Sequence, residues 1–163
     1  MVKYVLLFSI FIALGARADF ESSIKDHEDI GTQTLLYLVK NRDVVKSNIS
    51  SEDKLAASQA LSTSILSWEV SDGVNGIETG SFILLGWKHH PNIVASWFNR
   101  NPNSLSRWLK QQDYLFNGLL GEYDEVEALR LDIIKSLKGS NLENNISSAS
   151  YLEVLEDLEV PQY

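Results

Sequence analysis

Two adjacent histidines, His89 and His90, lie in a stretch from Thr79 to Gln112 that contains no Asp or Glu. The same stretch holds Lys88, Arg100, Arg107 and Lys110, the tryptophans Trp87, Trp97 and Trp108, and the asparagines Asn92, Asn99, Asn101 and Asn103. Arginine forks, amide groups and aromatic faces together suit an anionic or glycan ligand. The candidate binding residues are therefore Lys88, His89, His90, Asn92, Trp97, Arg100, Arg107 and Trp108. A second reading uses the same residues differently. All three tryptophans end or interrupt apolar runs and can serve as core. The bases then face acids such as Glu122, Asp124 and Glu125, in exposed pairs worth only about 0–1 kcal/mol each.

Acid–base and metal chemistry have less to stand on. On a helix, side chains one residue apart point about 100° apart, so His89 and His90 do not converge on one metal ion. They also precede Pro91, a position biased away from helical backbone, which predicts an exposed turn. His90 as a proton carrier, or Glu78 as a carboxylate placed before a buried helix, gives a hydrolase or lytic enzyme as the third functional reading. A helix cap is the simpler role for Glu78. Asp26-His27-Glu28 supplies one or two ligands to a divalent ion where zinc needs three or four, and there is no H-E-x-x-H. The chain has no G-x-S-x-G elbow, P-loop, dinucleotide fingerprint or calcium loop, and Ser22-Ser23-Ile24-Lys25 lacks the companions of a serine–lysine hydrolase. With no cysteine there is no thiolate nucleophile, thiolate metal site or disulfide. No catalytic residue, metal or cofactor is expected.

The elements that must position these residues are helical, with no convincing alternating strand. A first helix is predicted over about Ile30 to Lys46, with Leu35, Leu38 and Val39 on one face. Ser50, with Asp53 three residues on, marks the start of a second, along which Ala57, Leu61, Ile65 and Trp68 form an apolar stripe. Asp72-Gly73 and Asn75-Gly76 end it. The run from Ser81 to Trp87, apolar nearly all round, predicts a central buried helix. Pro91 and Pro102 suit first helical turns and predict short helices to about Asn99 and Gln112. Val126, Leu129, Ile133 and Leu137 give the next stripe, with Gly139 as a natural stop. Residues 140–148 read as a polar linker to a last amphipathic helix, about Ala149 to Leu158. The expected fold is all-α, an irregular bundle or a short α-α solenoid of six to seven short helices.

The chain's 163 residues carry 14 Lys+Arg against 22 Asp+Glu, a net charge of −8, with 44% hydrophobic residues. This suits one globular domain. The acidic balance argues against nucleic acid as a partner. Lys3, the uncharged run Tyr4 to Leu14 and Ala16-Arg17-Ala18 form a secretory leader, with cleavage expected between Ala18 and Asp19. The run falls short of the roughly 20 apolar residues a membrane span requires, so no stable membrane insertion is expected. The division is thus a signal peptide (1–18), a helical domain (19–139), and a linker with an acidic helix (140–163). After Lys138 there are five acids and no base. That helix either docks on its own domain, covering the basic stretch, or lays its apolar face in a partner's groove. A cysteine-free exported domain suits a bacterial periplasm better than an animal secretory pathway. The expectation is an exported inhibitor, immunity or adaptor protein acting by protein–protein contact with a basic partner. The alternative is a module for an anionic or cell-wall glycan ligand, bound through residues 79–112.

Overall fold

The computed structural model describes residues 33–119, 123–140 and 145–159. The expected leader, the Asp26-His27-Glu28 triplet and Glu122 lie outside them. The described residues form an all-helical bundle with no strand and nine helical segments, two more than the upper expectation. These are α1 (33–40), α2 (Arg42–Ile49), α3 (Lys54–Glu69), α4 (Gly73–His89), α5 (Pro91–Arg100), α6 (Pro102–Lys110), α7 (Gln112–Gly118), α8 (Tyr123–Gly139) and α9 (Ile146–Asp157).

One extra segment comes from a break inside an expected helix, and the other, α7, covers residues where no helix was expected. Asn41, at φ −112° and ψ 29°, divides the first. Its side-chain amide donates to the Tyr37 carbonyl at 2.8 Å, a local bond that competes with regular helix. Leu38 is buried there, but Val39 is exposed. Gln111 similarly separates α6 from α7, so the expected end at Gln112 becomes the start of another helix. Capping was also displaced. Asp53, rather than Ser50, caps α3, its carboxylate accepting from the Leu55 and Ala56 amides. Asn145 caps α9 by accepting from the Ser148 amide, which starts that helix three residues earlier than expected.

The apolar stripes pack as their spacing requires. Ala57, Leu61, Ile65 and Trp68 are fully buried, as are Ile133 and Leu137 on α8. Helix α4 is the hub and touches α2, α3, α5, α7 and α8. Contact with so many non-consecutive elements is a bundle's arrangement; solenoid repeats touch only their neighbours. Gly73, at φ +56°, makes the turn from α3 into α4, a conformation that costs an L side chain about 1–2 kcal/mol. Gly86 lets α4 approach two neighbours at once, since a Cβ there would run into Leu61 and Val94.

The centre is aromatic. Trp68, Trp87, Phe98, Trp108 and Tyr151 are fully buried and in mutual ring contact, with Trp87 stacked on Phe98 (5.9 Å, 5°) and edge-on to it Trp68 at 6.2 Å. Such pairs add about 0.5–1.5 kcal/mol each beyond the area they bury. Tyr151 brings α9 into this cluster. Its hydroxyl donates to Gln112 Oε1 at 2.8 Å, and burial pushes its phenol well above the ordinary range. Arg130 fastens the other end of α9, forking onto Glu127 at 2.6 and 2.7 Å and donating to the Leu155 carbonyl at 2.6 Å. The acidic helix therefore packs on its own chain against α5, α6 and α8. Glu156 pairs with Lys138 of α8 at 2.6 Å rather than with a base of the 79–112 stretch.

Candidate functional site

The eight candidate binding residues are split among four places. Lys88, His89 and Asn92 share a surface groove where α4 turns through His90 and Pro91 into α5. His90, beside them in sequence, is turned inward: its Nε2 lies 3.0 Å from the Ser51 carbonyl. A carbonyl only accepts, so this ring carries its proton on Nε2. Trp97 and Arg100 lie further along α5. Trp97 is half-buried, edge-on to Phe98 at 5.1 Å, and Arg100 is exposed, its Nε donating to the Ser96 carbonyl.

Arg107 and Trp108 are taken up by the fold itself, Arg107 half-buried and Trp108 in the core. Trp108 is fully buried and has no face to offer a ligand, which corrects its place among the candidates. Arg107 caps the end of α3. It donates to the Glu69 carbonyl at 2.8 Å and the Ser71 carbonyl at 2.6 Å, and lies 4.5 Å from the centre of the Trp68 ring. A carbonyl at the end of α3, another in the α3–α4 turn and an aromatic face thus consume the fork that could have bound an anion. The expected acidic partners were also different ones: Arg107 approaches Asp72 at 3.8 Å and Lys88 pairs with Asp132 at 2.7 Å. Glu78 pairs with Arg42 at 3.1 Å from within α4, rather than capping it.

Helix α8 and the residue after it complete the groove with Asp132, Lys135, Ser136, Gly139 and Ser140, giving about 510 Å³ of space. These residues were missed. Asp132, Lys135 and Ser136 do share an exposed helix face at i, i+3, i+4, but nothing local says that this face meets the α4–α5 turn. The electrostatics are mixed. Lys88 donates to Asp132 and holds its carboxyl below the usual range. Burial, then the charge of Lys88, then His90, keep the His89 imidazole below its ordinary pKa, so it is neutral at pH 7. The groove therefore offers two ammonium groups, one carboxylate, a neutral imidazole, an amide and two hydroxyls.

Among the described residues, no three His, Asp or Glu side chains gather to hold a metal ion, and no helix is long and apolar enough to cross a membrane. Compared with family models, curated proteins and solved structures, the chain matches none.

Proposed function

We propose that this chain is an exported helical protein that acts by binding a basic partner protein, as an inhibitor, immunity protein or adaptor in the periplasm or outside the cell. The observation that carries this is the α3–α4 junction. There Leu66, Val70 and Val74 are 62%, 66% and 79% exposed, while the Asp72 side chain between them is fully open to solvent. Leu66 and Val70 stand one turn apart at the end of α3, so they share a face. Exposed aliphatic side chains beside a solvent-open carboxylate suit a contact surface with an apolar centre and a polar rim. The net charge of −8, −10 once residues 1–18 are removed, steers basic partners toward it.

The test is to express the full chain with an affinity tag and recover it from the cell envelope and medium. The expected result is a mature chain starting at Asp19, with a basic protein that co-elutes and is released at about 0.5 M salt, where screening shortens to a few ångströms. An intact leader in the cytosol, or a purified chain that turns over a substrate, contradicts the proposal.

A second reading, binding of an anionic or glycan ligand through residues 79–112, is supported by the groove in part: Lys88, His89 and Asn92, three of its eight candidate residues, come together there. The hydrolase reading lacks such support. His90 and Glu78 are committed to the Ser51 carbonyl and to Arg42.

A further inference from the structure

The groove between the α4–α5 turn and the C-terminal half of α8 has a composition that narrows its ligand. A plain anion site concentrates donors and positive charge. Here Asp132 sits 2.7 Å from Lys88, so one carboxylate offsets one of the two ammonium groups and repels a second anion on its own side. Lys135 and Lys88 still leave the groove net positive within an acidic molecule. The remaining groups are donors and acceptors at once. A neutral imidazole has one of each, the Asn92 amide has both, and the Ser136 hydroxyl has both, while the Ser140 hydroxyl donates to the Leu137 carbonyl and keeps its acceptor side. Asp132 accepts only.

A molecule that satisfies this set has one negative group for the ammonium side and several hydroxyls, which donate to Asp132 and exchange hydrogen bonds with Asn92, Ser136 and His89. The volume of about 510 Å³ lies within the usual range of ligand pockets and admits a mono- or disaccharide. We propose that this groove binds an acidic sugar, a polyhydroxylated ring carrying one carboxylate, as a free monosaccharide or at the end of a glycan. This rests on the second reading above. No tryptophan lines the groove, so quenching of tryptophan fluorescence is not the readout to use.

The probe is D-glucuronate, titrated into the full ¹⁵N-labelled chain and followed by amide and imidazole chemical shifts, with glucose, acetate and phosphate as comparisons. Glucuronate is expected to shift His89, Asn92 and Lys135 saturably, with glucose and acetate at least about tenfold weaker. The double variant K88A/K135A, whose spectrum shows whether it stays folded, should lose at least about tenfold in affinity. D132N should bind acetate and phosphate more tightly and discriminate less in favour of glucuronate. Acetate or phosphate matching glucuronate on the unaltered chain means a bare anion site and overturns the proposal, and glucose matching it does the same. If R100A/K110A abolishes glucuronate binding and K88A/K135A does not, the groove is the wrong place, while the wider 79–112 reading survives. If no probe shifts any residue in 79–112, both fall.

Discussion

Arg107 donates to two carbonyls at the end of α3 and lies over the Trp68 ring. A charged hydrogen bond contributes about 1.5–3 kcal/mol and a cation–π contact about 0.5–1 kcal/mol. Arg107→Ala is therefore expected to lower stability by about 2–3 kcal/mol, and Arg107→Lys to recover only part of it, because an ammonium cannot span both carbonyls as a fork does. Urea denaturation of the two variants checks this; equal stability of all three chains would show that the cap contributes nothing. At the other end of the stretch, His89 should titrate below an ordinary histidine, and Lys88→Ala should raise it by removing a neighbouring charge. NMR titration of the ring reads both. Residue types in this segment were legible in the sequence, but their assignments were not. Arginine and tryptophan do the same chemistry toward a ligand as toward a helix end and a core, and only packing decides between them.

At the scale of elements, the stripes on α3 and α8 and the all-round apolarity of α4 could be read directly, because the period of apolar residues reports which face is covered. Breaks were harder to see. Asn41 and Gln111 interrupt helices without proline or glycine, so the strongest punctuation signals were absent. Glycines separate into two kinds that sequence cannot distinguish. At Gly86 an added methyl meets Leu61 and Val94, an overpacking cost of about 1–3 kcal/mol that outweighs the roughly 1 kcal/mol gain in helix propensity. At Gly139 nothing lies within 4 Å of the added methyl. Gly86→Ala should therefore destabilise and Gly139→Ala should stabilise slightly, by about 0.5–1 kcal/mol. Thermal unfolding of the pair checks the opposite signs, and the same sign for both would contradict the packing described. The groove falls between these cases: half of it was visible in the sequence as Lys88, His89 and Asn92. Its α8 half depended on a helix–helix contact formed across more than forty residues of chain.

For the molecule as a whole, α9 is part of the core. Tyr151 and Leu155 are fully buried and Leu158 nearly so, and side chains of that kind contribute about 1.5–3 kcal/mol each. Their sum is comparable with the typical 5–15 kcal/mol stability of a domain. A chain ending at Gly139 should lose cooperative unfolding by circular dichroism; a sharp transition retained there would mean that α9 is dispensable and free to act elsewhere. Stability should also fall with acid. Asp132 and Glu127 are held below the ordinary carboxylate range by hydrogen bonds from Lys88 and Arg130, and His89 is held below the ordinary histidine value by burial. For all three the unfolded chain takes up protons first. Their contribution is complete above the unfolded values, and it declines as pH drops from the histidine range toward and through the depressed carboxylate range.

The proposed recognition surface is the α3–α4 junction, and it can be altered without touching the core. L66D/V70D changes two exposed side chains, so it should leave the fold intact, with stability within about 0.5 kcal/mol per site. The decisive measurement compares the tagged unaltered chain and L66D/V70D for the amount of basic partner co-purified from the exported fraction at low salt, quantified by mass spectrometry. At least a tenfold loss in the folded variant is expected if about 1.4 kcal/mol or more of the contact lies there. Equal recovery by both chains, or no partner recovered by either, contradicts it.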